Sequence, residues 1–298
     1  MRRMGERHPG AVCVYFLCVA APVFFGLNPV TAAIGLLAGL CWLFLLRERF
    51  SWKTLAGYLG IVGLSGIVNP VFNHNGQTPL FFLNGNPVTL EALLLGLVMG
   101  LMISATLVWG RCFSLIMDTD RVMTVTGRLS PRASLVLSMA MRYLPLLRRQ
   151  AEKTREARRG MGLTREENGL DRLRESLEVF DGLVTWGLEN GVTTADSMTA
   201  RGYGTGRRTR YQLYPWERGD TAVCAVSLAV LGALIAARAG GYIGYTWYPA
   251  MKTPPLSWPG IAACLLFAAL CAAGAVLEAA DRRKWRRIER RLPVEKEE

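Results

Sequence analysis

Arg201 is followed by Gly202, and behind it come Tyr203, Gly204, Thr205 and Gly206. A cation directly before a glycine marks a helix C-terminus. Glycine takes the left-handed cap without a steric cost, and the guanidinium sits beside the negative end of the helix dipole. Two kinds of chemistry are open to such an arginine. It can complement its own helix and nothing more. It can also project as a planar fork of donors, suited to a carboxylate in an acidic groove on another protein. Patterns for bond-making chemistry are missing. There is no Gly-x-x-x-x-Gly-Lys-Ser/Thr loop, so ATP binding by that means is not expected. The glycines at 202–206 lack dinucleotide-binding spacing and read as a turn. No Gly-x-Ser-x-Gly elbow and no His-Glu-x-x-His occurs. The 2 histidines, His8 and His74, are too few for a histidine-based metal or acid–base site. The 7 cysteines, at 13, 18, 41, 112, 224, 264 and 271, lie in or beside apolar segments and form no Cys-x-x-Cys pair. They read as small packing residues. No catalytic activity, metal or cofactor is expected of this chain.

The elements that must position Arg201 are written in the charges. Only 19% of residues are charged, against roughly 25% in ordinary soluble domains. No Asp, Glu, Lys or Arg occurs from Pro9 to Leu46, Thr54 to Leu90, Ala92 to Gly110, Thr221 to Ala237 or Thr253 to Leu277. A soluble helix would carry charges on its outer face. A membrane span needs about 20 mostly apolar residues. The first run would reach about 57 Å as one helix, too long for one crossing. Gly26-Leu27-Asn28-Pro29 breaks it, because the residue before proline leaves the helical region. The pattern predicts an all-α integral membrane protein with about six transmembrane helices, near 11–26, 30–46, 54–69, 89–116, 219–238 and 257–279, and a helical cytoplasmic region. A polar loop is expected between the third and fourth, with Asn73, His74, Asn75, Gly76, Gln77 and Thr78. Glu91 and Glu278 fall at helix ends, where solvation is expected. With no ionisable group near a midplane, ion-coupled secondary transport is disfavoured. A cleaved signal peptide is disfavoured too, since Ala20-Ala21-Pro22 is a poor cleavage context and a second apolar helix follows at once.

Lys and Arg set the topology. Alternate loops hold 33 of the 35 basic residues. They are the N-terminus, the turn with Arg47, Arg49 and Lys53, the stretch from Arg111 to Arg218 and the tail. Only Arg238 and Lys252 fall in the other loops. Both termini are therefore expected in the cytoplasm of a multi-pass plasma-membrane protein. The net charge of +12 expresses this bias rather than nucleic-acid binding. Three parts follow: residues 1–116 with about four spans, a cytoplasmic region over 117–218, and residues 219–298 with two spans and a basic tail.

Within the cytoplasmic region, Ser130-Pro131 is a helix start. The helix runs to about 159, apolar in its first half and charged in its second, through Arg148, Arg149, Glu152, Lys153, Arg155, Glu156, Arg158 and Arg159. Pro145 is expected to kink it. Gly160 and Gly162 close it. A second helix over about 167–189 bears an apolar stripe of Leu170, Leu173, Leu177, Phe180 and Val184, expected to pack on its neighbours. A separate short helix over about 192–201 ends at Arg201-Gly202.

Several separated motifs occur in an order that resembles the transmembrane T component of energy-coupling factor transporters, the uptake systems for cobalt, nickel, biotin and vitamins. They are Met141-Arg142-Tyr143-Leu144-Pro145-Leu146-Leu147, then Thr194 through Ala200-Arg201-Gly202-Tyr203-Gly204. On the loop side they are Asn69-Pro70, Phe72-Asn73-His74 and Asn86-Pro87-Val88-Thr89-Leu90-Glu91. The resemblance implies two ATPase-coupling ends. Ala200, Arg201 and Gly202 match one closely. The family spacing puts the other at Gly160-Met161-Gly162, with methionine in place of arginine; Arg158, Arg159 and Gly160 are the alternative source of charge. Arg142 and Pro145 fall at the coupling-helix hinge. The implied partners are two ABC-type ATPase subunits, a substrate-binding S component in the membrane and the lipid bilayer. The implied role is scaffold and transmission element of a vitamin or metal-ion uptake system, with ATP hydrolysis elsewhere. A membrane-anchored scaffold binding acidic partners or lipid through its basic insert is the alternative.

Single-cysteine labelling in intact cells tests the topology. Probes at residue 75 are expected to react from outside, and probes at 165 or 290 only after permeabilisation. External labelling at 165 overturns the arrangement.

Overall fold

Asn28 and Pro29 end one apolar helix and begin the next. Helix α1 spans Pro9–Phe25 and α2 spans Pro29–Leu45. Between them Leu27 takes a left-handed φ of 44°. The Asn28 side chain accepts from Val30 N at 2.9 Å and caps α2, while its amide donates to the Ile243 carbonyl at 3.2 Å. The structure, a computed structural model, describes residues 4–46, 52–74, 76–83, 86–163, 169–206, 214–248, 251–255 and 257–289. Arg2, Arg3, Arg47, Arg49, Asn75, residue 165 and the tail beyond 289 lie outside them. The helices that follow are α3 (Trp52–Phe72), α4 (Leu90–Ile116), α5 (Thr119–Leu129), α6 (Pro131–Gly160), α7 (Gly169–Ala200), α8 (Arg218–Ala239) and α9 (Trp258–Glu289). The protein is an all-α membrane protein. Helices α3, α4, α8 and α9 are long and apolar enough to cross a bilayer, while α1 and α2 are apolar helices of 17 residues, at the short end of what spans the hydrocarbon.

The chain divides into two compact units, residues 1–121 with 214–298, and residues 122–213. The first is held by close approach. Helix α4 packs on α1, α2 and α3. A Cβ on Gly39 would lie 2.8 Å from Val108, one on Gly96 2.6 Å from the Ser65 carbonyl, and one on Gly100 2.7 Å from the Val62 Cα. Lipid tails are as apolar as leucine, so such contacts and hydrogen bonds drive helix association in a membrane. The fully buried Trp109 donates from its indole to the Gly35 carbonyl at 2.9 Å. Around it Tyr15, Phe16, Trp42 and Phe113 form edge-to-face and stacked pairs. Tyr15 also donates to the Leu270 carbonyl at 2.9 Å, bringing in α9.

Two expectations are corrected in this unit. The loop between α3 and α4 is not simply polar coil. Pro79–Leu83 (β1) and Asn86–Thr89 (β2) pair antiparallel, with Phe82 opposite Pro87 and Leu83 opposite Asn86. The signal was Asn84-Gly85 between them, a strong hairpin dipeptide. Glu91 and Glu278 are also not solvated helix-end carboxylates; they are 5% and 7% exposed. Glu91 accepts from the Thr78 hydroxyl at 2.8 Å, because the segment leading into the hairpin folds back over the start of α4. Glu278 pairs with Arg282 one turn along α9 at 3.7 Å.

Gly100 and Gly60 separate packing from propensity. Nothing lies near a Cβ on Gly60. Gly100→Ala is expected to cost about 1–3 kcal/mol through overpacking against α3 backbone, read as a lowered melting temperature in detergent. Gly60→Ala should leave it unchanged or raise it.

Candidate functional site

The second unit is built on α6 and α7. Ser130 caps α6 by accepting from Ala133 N at 3.4 Å, with Pro131 in the first turn. The helix runs on through Pro145 as one element to Gly160. Arg142 and Pro145 are exposed, and Tyr143 between them is half-buried. Its hydroxyl donates to the Asn190 carbonyl at 3.2 Å and lies 2.7 Å from the Thr194 hydroxyl. Near the other end of α6, Arg158 pairs with Glu178, which also meets Arg174 at 3.4 Å. As α6 advances from Tyr143 to Arg158, its partner on α7 therefore retreats from Asn190 and Thr194 to Glu178. The two helices run antiparallel.

The expected separate helix over 192–201 does not exist. Helix α7 is one element of 32 residues. Asn190, Gly191 and the β-branched run after them predict a break. The structure closes it locally, with the Asn190 amide donating to the Trp186 carbonyl at 3.0 Å and the Thr193 hydroxyl to the Glu189 carbonyl at 2.9 Å. The anticipated stripe is also not packed within the chain. Leu170, Leu173, Leu177, Phe180 and Val184 are all exposed, Leu170 to 79%. The covered face is instead Val179, Leu183, Trp186, Asn190, Thr194 and Met198. Periodicity tells which face of a helix is apolar, not whether the same chain covers it.

Both helices end in the same way. At the end of α7, Gly202 N donates to the Thr199 carbonyl at 2.9 Å and Tyr203 N to the Met198 carbonyl at 3.0 Å. At the end of α6, Gly162 N donates to the Arg159 carbonyl at 3.0 Å and Leu163 N to the Arg158 carbonyl at 3.1 Å. These are paired Schellman caps, with Gly202 at φ 78° and Gly162 at φ 69°. Gly160 is thus the last helical residue of α6 and Gly162 is its cap. In cap register Gly160 matches Ala200, and Met161 matches Arg201. Arg201 is exposed, and Met161 is 65% exposed. Arg158 is half-buried against Glu178, while Arg159 is exposed. Because the helices are antiparallel, the two ends lie apart. Met161 is one turn beyond Arg158, and Arg201 lies about 35 Å along α7 from Glu178 at about 1.5 Å per residue. Among the described residues, no group of three or more His, Cys, Asp or Glu could hold a metal ion.

The family model of the cobalt transport protein CbiQ matches residues 7–212, more than half of the chain and both helix ends. The chain belongs to this family. Similar proteins include the energy-coupling factor transporter transmembrane protein EcfT 1 of Listeria monocytogenes serotype 1/2a (strain 08-5578). It is 31% identical over 105 residues, covering 34% of this chain and 40% of that protein. The protein named EcfT in Lactobacillus helveticus (strain DPC 4571) is 25% identical over 242 residues, covering 72% of this chain and 83% of that one. The resemblance read from the separated motifs and the family match agree.

Sequence reasoning quoted Tyr143 within a motif but gave it no role, and it missed Arg7, His8, Trp216 and Asp220, described below. Glu217 and Asp220 at a helix start were the available signal for the last of these. Tyr143→Phe is expected to cost about 0.5–1.5 kcal/mol, the net worth of one hydrogen bond. It should be read as faster amide exchange around Asn190 with the exchange of α4 unchanged.

Proposed function

We propose that this chain is the transmembrane coupling and scaffold subunit of an ATP-driven transporter that takes up a micronutrient, a vitamin or a metal ion. It works with two separate ABC-type ATPase subunits and a substrate-binding S component in the membrane, and it hydrolyses no ATP itself. The observation that carries this reading is the pair of identically capped, exposed helix ends at opposite ends of an antiparallel pair. One helix tip suits one groove; two tips held far apart on one rigid pair suit two partners that move against each other. The curated relatives are named as transmembrane proteins of energy-coupling factor transporters, which supports the same role here. The uncovered apolar stripe on α7, led by Leu170 and Phe180, offers area for a membrane-embedded partner.

In this mechanism ATP binding closes the ATPase pair and changes the relation between the grooves that hold Met161 and Arg201. Tyr143 and Arg158 bind α6 to α7, so the pair responds as a lever. The change passes through Arg142 and Pro145 towards the membrane helices and reorients the S component. Ala200 leaves the Arg201 side chain unobstructed, and Gly202 turns the chain away behind it. On the α6 side Met161 offers no charge, and Arg159 with Arg158 and Gly160 supplies the basic approach. Both termini lie in the cytoplasm with the ATPases.

A carboxylate in a desolvated groove would be gripped by the Arg201 fork with two parallel bonds, which lysine cannot reproduce. Loss of one partner from such a pair costs about 2–5 kcal/mol, against at most about 1 kcal/mol for an exposed pair. Arg201→Ala is therefore expected to weaken ATPase binding by about 30-fold or more, the equivalent of the lower limit. Arg201→Lys should impair it less, and Arg158→Ala or Arg159→Ala alone less than Arg201→Ala. Titration of purified ATPase subunits onto the chain in nanodiscs is the measurement. Wild-type affinity in Arg201→Ala would leave an arginine that only complements its own helix dipole.

A further inference from the structure

The boundary between the two units falls immediately after Arg121 and immediately before Tyr214, and both crossings of the chain are pinned there. On the way out, Arg121 donates to the Ile116 carbonyl at 2.7 Å, over the end of α4, and its guanidinium carbon lies 5.5 Å from the centre of the Tyr214 ring. The outgoing and returning segments therefore touch each other. On the way back, the chain meets the N-terminus. Asp220 is 4% exposed. One of its oxygens accepts from His8 N at 3.4 Å and from Glu217 N at 3.3 Å; the other faces the Arg7 guanidinium at 3.6 Å. His8 is the N-cap residue of α1, and Glu217 is that of α8. One carboxylate thus bridges the positive ends of two helix dipoles and a guanidinium. Arg7 also donates to the Gly219 carbonyl at 3.0 Å. The Trp216 ring lies 4.7 Å from the His8 ring, and its indole donates to the Thr221 hydroxyl at 2.8 Å.

This is more than two helices in contact require. Helices α1 and α8 already pack along their lengths. Burying a carboxylate and a guanidinium at their ends adds a desolvation cost that apolar residues would avoid. What the ionic arrangement provides and an apolar one does not is a fixed direction for the chain at the point where it enters the membrane unit.

We propose that Asp220, with Arg7, His8 and Trp216, is the fulcrum through which movement of the α6–α7 unit reaches α1 and α8, with Arg121 and Tyr214 holding the outgoing segment to the same point. These are positioning residues that touch no substrate or nucleotide. The inference rests on the coupling role proposed above. With the clasp intact, a displacement of the segment at 214–217 tilts the N-terminal ends of α1 and α8 together. With it broken, the same displacement is absorbed in the connecting chain.

The test uses the complex isolated from its native membrane into nanodiscs, with hydrogen exchange followed by mass spectrometry with and without ATP. In the wild type, ATP should alter exchange both at the helix ends, 157–163 and 198–206, and at the far ends of α1 and α8, 24–31 and 238–248. In Asp220→Asn and Trp216→Ala the ATP response at the helix ends should persist. The response at 24–31 and 238–248 should fall in both, by about tenfold in Asp220→Asn, as loss of a charge-assisted hydrogen bond implies. An unchanged response at the far ends in both variants overturns the proposal. Loss of both responses together overturns it as well, because a plain structural staple does that. The isolated chain supplies a reading that needs no partner. There the amides of His8 and Glu217 should exchange about tenfold faster in Asp220→Asn, and unchanged protection also overturns the fulcrum. If the wild-type complex shows no ATP response at its helix ends, the coupling role has failed, whatever the isolated chain shows.

Discussion

Helices inside a bilayer gain nothing from hiding apolar surface from one another, because the lipid is as apolar as the partner. The membrane unit depends on how this constraint is met. Association has to come from close contact and from hydrogen bonds that lipid cannot supply. Gly96 and Gly100 let backbones approach to distances at which a methyl group would collide, and Gly39 leaves that space to the Val108 and Trp109 side chains. Trp109 is the polar counterpart: its ring fills the space between α1, α2 and α4 while its indole N–H reaches the Gly35 carbonyl. A backbone carbonyl already bonded within its helix has a second lone pair, so the tryptophan is satisfied without breaking a turn. The Tyr15 hydroxyl on the Leu270 carbonyl repeats the device towards α9.

The second unit solves a different problem. It carries many charges and few covered residues, with Val179 its one fully covered side chain on α7 among the described residues. Its two long helices are joined at points, through Tyr143 near one end and the Arg158–Glu178 pair near the other. Two separated attachments resist rotation of one helix about the other more than a single one would. The attachments are spaced along the helices rather than gathered in a deep core. That leaves the helix tips and the α7 stripe uncovered, as the coupling role proposed above requires. The two caps share one backbone geometry but differ in the residue they present, methionine at one and arginine at the other.

Within the membrane unit, polar groups are concentrated where the chain leaves and re-enters it. Asp220 stabilises two helix starts at once because each N-terminus leaves N–H groups without partners inside its own helix. A glutamate or asparagine elsewhere could cap one of them. Only an acceptor at the start of α8, facing the start of α1, can cap both, and the negative charge of Asp220 also draws in Arg7.

Much of this was legible in the residues alone. The six apolar helices, the break at Asn28-Pro29, the start of α6 at Ser130-Pro131 and the left-handed Gly202 follow from local rules. Charge is excluded from lipid, the residue before Pro29 leaves the helical region, and glycine alone takes a positive φ at no cost. Gly35 and Gly39, and Gly96 and Gly100, stand four apart in the sequence, a spacing that favours close helix packing without naming the partner. What stayed hidden depends on residues far apart in sequence. Helix α7 is continuous although Asn190 and Gly191 argue for a break: side-chain bonds within the turn close it, and Tyr143, 47 residues earlier, adds a bond to the Asn190 carbonyl. The register of Gly160-Met161-Gly162 on Ala200-Arg201-Gly202, which the family spacing implies, is given independently by the cap bonds. Asp220 looked like an ordinary acid in a first helical turn until the fold brought His8 and Arg7 to it across 212 positions of chain. Local propensity determines which segments are helices and where each one ends. Which ends meet is decided by long-range packing, whose energy no short window of sequence contains.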